Sequence, residues 1–357
     1  MSGRAQRAIE LLPEAGLDAL LVTDLVNVRY LTGYTGSNGL ALIGESVCAF
    51  VTDFRYVEQA AEEVNPAFDR RRGERDLLEA VDELLPDGPV RLGFEEAHMS
   101  VRTHRRLREL LPERVSLVGA AGLIERLRAV KEAAEVNSMR RAAALADDAL
   151  RWLLEQGLVG RTERQAALAL EQRIRSLGAE DVSFPAIVAG GAHGALPHAS
   201  PRDVEISGGE LVVIDWGARV DGYNSDCTRT IAAGAVSEQD ASIYSLVLEA
   251  QLAGVGAVRP GAAGREVDAA ARAVIEAAGQ GGRFGHGLGH GVGLEVHENP
   301  RLSQRSDDVL AAGNAVTVEP GIYLPGRLGV RIEDLVIVTE DGCEILSSIG
   351  KDLIVVE

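Results

Sequence analysis

The sequence predicts an α/β domain over residues 1–125 followed by an α+β domain over residues 126–357. Three observations carry this. The chain has 357 residues, and at roughly 100–200 residues per domain that length accommodates two. In the first part, helical and strand signals alternate along the chain. In the second, long Ala-, Glu- and Arg-rich helices and apolar strands come in groups, the pattern of an α+β fold with an antiparallel sheet.

The first domain opens with a strand over 18–23, followed by a further pair at 39–43 and 47–52. Residues 75–85 and 100–111 carry helical periodicity, and the strand VRLGF (90–94) separates them. No phosphate loop follows any of these strands. Around 123–157 the pattern becomes a long helical stretch, which places the domain boundary near 124–130. Helices are then expected at 131–157, 161–177, 237–257 and 264–278. Extended segments are expected at 183–190, 211–219, 224–233, 292–297, 315–319 and 330–338.

Composition excludes several chemistries. The chain carries 36 Lys+Arg against 54 Asp+Glu, a net charge of −18, and only Lys131 and Lys351 are lysines. Neither lysine has Gly-Lys-Ser/Thr context, and neither is placed for Schiff-base chemistry. Strong acidity argues against nucleic-acid partners, because phosphate contact requires clustered positive charge. Apolar stretches are strand-length, far short of the ~20 residues a membrane helix needs. The opening MSGRAQRAIELLPEAG has no apolar core, so no signal peptide is expected. The three cysteines, Cys48, Cys227 and Cys343, have no C-x-x-C spacing, which fits reduced thiols in a cytoplasmic protein.

Five of the seven histidines fall in two windows, 193–198 and 286–297. Two acidic pieces accompany them. In LVVIDWGARVDGYNSDCTRTI (211–231) an apolar strand runs into Asp215, and a polar strand after a turn carries Asp226. A four-residue turn at 219–222 would set the two carboxylates directly opposite on one sheet face, where they repel unless a cation or proton lies between them. In AVTVEPGIYLPGRLGVRIEDLVIVT (315–339), Glu319 closes one apolar strand and Glu333 interrupts another. A Glu inside such a strand needs an ion-pair partner or a metal; Arg331, two residues away on the same face, could be that partner. In GHGLGHGVGLEVH (285–297), the glycines allow close backbone approach of His286, His290 and His297. The segment is expected to run into a short β-like GLEVH rather than open a helix, and no H-E-x-x-H motif is present.

Taken in order, Asp215, Asp226, His290, Glu319 and Glu333 resemble the ligand set of the pita-bread metallopeptidase family, which includes methionine aminopeptidases, aminopeptidase P, prolidases and the non-metal creatinases. The segments TDLVNVRYLTGYTGSNG (23–39) and TDFRYVEQA (52–60) resemble the N-terminal domain of the creatinase/prolidase branch, which methionine aminopeptidases lack. The resemblance implies a pita-bread catalytic domain holding two divalent cations, with Mn²⁺ favoured by the oxygen-rich ligands and Co²⁺ or Zn²⁺ admitted by the imidazole. Four carboxylates and two divalent cations balance before a bridging hydroxide is added.

Asp215 is then expected on one metal, Asp226 and Glu333 on both, and His290 and Glu319 on the second. His297 and His198 are expected at the substrate, His286 at the pocket for the residue after the scissile bond, and Arg331 against a carboxylate ligand or a nearby tyrosine. Glu319 is a candidate proton shuttle to the leaving proline nitrogen, and His193 is expected to be an ordinary loop histidine. The implied activity is that of an Xaa-Pro dipeptidase (prolidase) acting on proline-containing dipeptides or short peptides, as a homodimer. Aminopeptidase P activity is the near alternative, and a metal-free binding protein of the same fold the remote one.

Overall fold

The structure is a computed structural model describing residues 3–357. It divides into two compact units, one ending at Arg128 and the other running Ala129–Glu357. No described helix is long and apolar enough to cross a membrane.

The first unit is α/β, as the sequence predicts. Its six-stranded sheet has the order Asp69–Arg72, Cys48–Thr52, Leu40–Gly44, Ala19–Val22, Val90–Glu95, Val115–Ala120. The three inner apolar strands pair antiparallel, and Ala19–Val22 pairs parallel with Val90–Glu95. Leu21, Leu42, Val51, Leu92 and Leu107 fill one core beside them. Two edge strands escape the sequence reading. Asp69–Arg72 is exposed at every residue and has no apolar alternation to detect; its charges suit an edge that must not template further pairing. The helix expected at 75–85 is a 3₁₀ turn, Leu77–Ala80, leading into a single α turn, Val81–Leu84.

The second unit is α+β and has two similar layers. Helices Ala133–Glu155 and Glu163–Ser176 pack on a four-stranded sheet through Ala146, Leu150, Leu170, Val212, Ile214 and Trp216. Helices Glu238–Ala257 and Gly264–Ala277 pack on a five-stranded sheet through Val247, Val267, Ile275, Val316 and Val336. Local chemistry sets the helix starts. Thr162 and Gln165 form a capping box, and Ser237 Oγ accepts from Asp240 N. Trp216 is fully buried, and its indole N–H donates to Ala146 O at 2.8 Å, tying a helix to a central strand.

Two strand expectations need correction. The hairpin after Asp215 closes through Val220–Tyr223, with Asp221 (φ 52°) and Gly222 (φ 82°) at its tip. An Asp-Gly pair with both φ positive is the two-residue turn whose twist matches the strands it joins. Asp215 therefore faces Thr228, not Asp226. The slip is two residues, so both acids stay on one face as diagonal neighbours. The expected β-like segment 292–297 is instead an irregular loop, and the strand begins at Glu298 and runs to Leu302. Asn224 Nδ2 occupies the loop carbonyls of Gly293 and Leu294 at 3.0 Å each, so they are not offered to a ladder.

Candidate metal centre

The acidic residues gather where strands begin, end or change sheets. Asp215 is near the end of strand Glu210–Trp216. Asp226 lies in the break between Tyr223–Asn224 and Cys227–Ala233. Glu319 separates Ala315–Val318 from Gly321–Leu324, and Glu333 separates Leu328–Arg331 from Asp334–Val338. In each break the backbone leaves one ladder for another, and the side chain turns into a shared space. His290 is the middle residue of Gly289–Gly291, where the register with Glu298–Leu302 shifts. A Cβ at Gly289 would collide with Thr317 O and one at Gly291 with Asn299 O, so only glycine on both sides lets the backbone come this close.

The five side chains converge. One ligand atom each from Asp226, His290 and Glu333 lies within 4.8 Å of the others. His290 Nε2 is 3.2 Å from Glu319 Oε1 and 3.8 Å from Asp226 Oδ2. His290 Nδ1 is 3.1 Å from Gly291 O; a carbonyl only accepts, so Nδ1 carries the proton and Nε2 faces the carboxylates. A proton or a cation must lie between Nε2 and those oxygens. Asp215 Oδ1 is buried and has no hydrogen-bond partner among the described residues, a costly arrangement unless the lone pairs serve a cation.

The electrostatics agree. Burial, then the charges of Glu333 and Asp215, push Asp226 well above the usual carboxylate range. Burial, then Glu319 and Asp215, do the same to Glu333. Burial raises Asp215, against the opposing charge of Arg331. Burial acts upward on Glu319 too, but the hydrogen bond and charge of His290 outweigh it and hold Glu319 at about 2. Three carboxyls, Asp215, Asp226 and Glu333, that resist ionisation without a counter-charge, in a set of hard oxygen donors with one imidazole, fit divalent cations.

A second layer fixes the first. Arg331 Nη2 donates to Asp215 Oδ2 at 2.7 Å, Nη1 to Pro197 O and Tyr323 Oη, and Nε to Thr228 Oγ1. Thr228 Oγ1 in turn donates to Glu333 Oε2 at 2.7 Å. The Arg331–Glu333 ion pair considered from the sequence is therefore not formed: the guanidinium goes to Asp215 and Tyr323, while a threonine serves Glu333. Thr317 Oγ1 accepts from His290 N and donates to Glu319 Oε1. His286 Nδ1 lies 2.8 Å from Gly287 O, so it donates there and Nε2 accepts from Tyr323 Oη at 2.9 Å.

The four acids and His290, with His286 and Arg331, line one cavity of about 580 Å³. His198 and His297 are exposed on its walls, with the His297 ring 4.3 Å from that of His290. Burial lowers His286, and partial burial of the His297 ring, with nearby His290 and Arg301, lowers His297. His193 points elsewhere: its Nδ1 meets the buried Glu163, which Arg202 also binds. Sequence reading missed Thr228, Thr317, Tyr323 and Arg301. The first was legible, because it is two residues from Asp226 and so shares its face. Arg301 lines the cavity, and among the described residues its guanidinium makes no hydrogen bond or ion pair; nothing in its sequence context distinguishes it from the other arginines.

The chain is similar to known proteins along nearly its whole length. Residues 137–340 match metallopeptidase family M24, and residues 4–130 match the creatinase/prolidase N-terminal domain. An Xaa-Pro dipeptidase of Pyrococcus horikoshii is 36% identical over 99% of each chain. The solved Xaa-Pro dipeptidase from Bacillus anthracis superposes with a TM-score of 0.95 at 40% identity over 99% of each chain. The X-Pro aminopeptidase from Thermotoga maritima does so with a TM-score of 0.90 at 35% identity, over 99% of this chain and 100% of that one. With its acidic cluster, its two-layer α+β unit and both matches, this chain belongs to metallopeptidase family M24, on the pita-bread fold with a creatinase/prolidase-type N-terminal domain.

Proposed function

We propose that this protein is a two-metal Xaa-Pro dipeptidase of the cytoplasm, acting as a homodimer and loaded by preference with Mn²⁺. The observation that carries the reading is the convergence of four carboxylates and His290 on one cavity, with Asp215 Oδ1 buried and without a hydrogen-bond partner among the described residues. Asp215 would hold one cation, His290 and Glu319 the other, and Asp226 and Glu333 would serve both. The bound pair supplies Lewis acidity and an activated water. Co²⁺ and Zn²⁺ suit the same donors less well than Mn²⁺, because oxygen outnumbers nitrogen.

The chain's own groups do the rest. His297, kept neutral by burial and by His290 and Arg301, donates a hydrogen bond to the scissile carbonyl as negative charge develops there. His198 faces the substrate from the opposite loop. Glu319 is anionic at neutral pH, so it can accept the proton that the attacking water gives up and pass it to the proline nitrogen, which must be protonated to leave. His286, held by Tyr323 Oη, borders the pocket for the proline ring. An X-Pro bond has no N–H to grip, and a pocket that recognises ring shape and carbonyl accepts it.

Arg301 favours dipeptides over longer peptides. In a dipeptide the proline carries a terminal carboxylate, and Arg301 is a cavity cation whose guanidinium has no partner among the described residues. The likeness to an X-Pro aminopeptidase supports the second reading, release of the first residue from longer peptides. Offering Ala-Pro and an Xaa-Pro-Pro-Xaa peptide to Mn²⁺-loaded protein separates the two. Cleavage of the dipeptide alone, lost selectively in Arg301→Ala, is the expected result. Cleavage of the longer peptide at equal kcat/KM favours the aminopeptidase, and inertness to both with about two ions bound favours a metal-binding relative without this activity.

A further inference from the structure

We propose that Lys131 is a positioning residue for His297, acting through Glu298. The proposal rests on the peptidase reading only for what His297 does. Of 36 basic residues, 34 are arginine. Both lysines nevertheless enter ion pairs next to site residues: Lys351 with Asp334, beside Glu333, and Lys131 with Glu298, beside His297. The Lys131 pair is the more enclosed. Its side chains are 1% and 6% exposed, with Nζ 3.0 Å from Oε2. Burying two charges is a poor route to stability, since desolvation offsets most of their attraction, so the geometry the pair fixes is the better account of its presence.

That geometry is the loop carrying His297. Residues 293–297 have no ladder of their own and are held from both ends. At the start, Asn224 binds the carbonyls of Gly293 and Leu294, and Gly293 N donates to Glu295 O. At the end, Glu298 Oε1 accepts from Glu295 N at 3.0 Å while Oε2 takes the Lys131 ammonium. The loop folds directly onto this carboxylate, for a Cβ at Gly293 would lie 2.6 Å from Glu298 Oε2.

Lys131 itself is anchored. Its N–H donates to Gly313 O at 2.8 Å, and Val130 bridges Asn314. His297 faces the cavity while Glu298, the next residue, is buried. Fixing the Glu298 carboxylate therefore fixes the direction in which His297 points. A lysine ammonium suits the role as a compact point charge; a planar guanidinium needs more room and a forked acceptor.

The test uses Mn²⁺-loaded full-length protein and Ala-Pro. Lys131→Met should lower kcat by roughly tenfold to a hundredfold, as for a displaced catalytic contact, with KM and bound metal little changed. Hydrogen exchange of the amides at 293–297 should accelerate. In a His297→Ala background, Lys131→Met should cost nothing further. Lys131→Met/Glu298→Met removes both charges; its melting temperature should recover while kcat stays low, which keeps the test open if the single variant folds poorly. The inference is overturned if exchange at 293–297 is unchanged in both variants. It is equally overturned if Lys131→Met costs the same factor with and without His297. Wild-type protein inert towards Ala-Pro would refute the peptidase reading instead, and the exchange measurement would still decide whether Lys131 holds the loop.

Discussion

Replacing Asp226 by asparagine should stabilise the metal-free protein while destroying its response to metal. The substitution keeps shape and removes one charge. Asp226 and Glu333 oxygens lie within 4.8 Å, and at an effective dielectric constant of ~20 two full charges at that separation repel by about 3 kcal/mol. Proton uptake relieves part of this, because burial and mutual repulsion raise both groups well above the usual range. The expected gain at pH 7–8 is therefore about 1–3 kcal/mol, or ~2–10 °C in the melting of a domain this size.

The sign of the pH dependence follows. A buried acid with a raised folded-state value holds a proton that the unfolded chain has released. Metal-free wild-type protein should thus lose stability as pH rises from the ordinary carboxylate value through the raised one. Asp226→Asn should flatten that slope. Adding Mn²⁺ at ~100 times its dissociation constant should stabilise wild type by about 2.7 kcal/mol and the variant by little. Scanning calorimetry of chelator-treated protein between pH 5.5 and 8, with and without MnCl₂, reads all of this. A metal-free variant that melts below wild type, or a wild type indifferent to metal, would refute the electrostatic account of the site.

Metal loading should release protons. Calorimetric titration with Mn²⁺ near neutral pH in buffers of different ionisation enthalpy should give apparent enthalpies that vary with the buffer, and identical enthalpies would mean that the carboxylates were already ionised. Arg331→Met leaves Asp215 Oδ2 without its donor in a largely buried pair, so urea unfolding should show a loss of about 3–5 kcal/mol. The two histidines of the 193–198 window should separate cleanly. His193→Asn, which weakens a buried contact with Glu163, should cost about 1–2 kcal/mol of stability and leave kcat near wild type, whereas His198→Asn should lower kcat/KM and leave the melting temperature unchanged.

What the sequence makes legible is the chemistry that cannot be hidden. An acid that closes or interrupts a run such as LVVID or VRIEDLVIV is visible as an anomaly, because carboxylates are costly there. The four catalytic-unit helices are legible for a similar reason: their apolar stripes and caps are local, and the observed spans Ala133–Glu155, Glu163–Ser176, Glu238–Ala257 and Gly264–Ala277 lie close to the periodic stretches. Two kinds of information are not local. One is register, which depends on the turn. The Asp221–Gly222 pair sets Thr228 opposite Asp215, and the even slip conceals the error because the face is preserved. The other is partnership across sheets. Proximity in sequence suggests an Arg331–Glu333 pair, but each strand break sends its side chain to a different neighbour, and Arg331 reaches Asp215 across 116 positions.

That misplaced partner changes the charge balance of the site. Counting only the four carboxylates against two divalent cations makes the cluster neutral. Arg331 is buried against Asp215; burial works against its charge, but Tyr323, Asp215 and Glu319 outweigh it and keep the guanidinium protonated, so it belongs to the count. Four acids and one guanidinium leave three negative charges, and two divalent cations would then leave one positive charge in excess. The excess suits a site meant to receive one more negative charge, whether on an attacking nucleophile or on a developing oxyanion. Tyr323 is tied to the same guanidinium and to His286, so the cation that sets this balance also orients the cavity wall expected to meet the proline ring. Net charge and pocket shape at this site therefore depend on one arginine, and a substitution there should disturb both together.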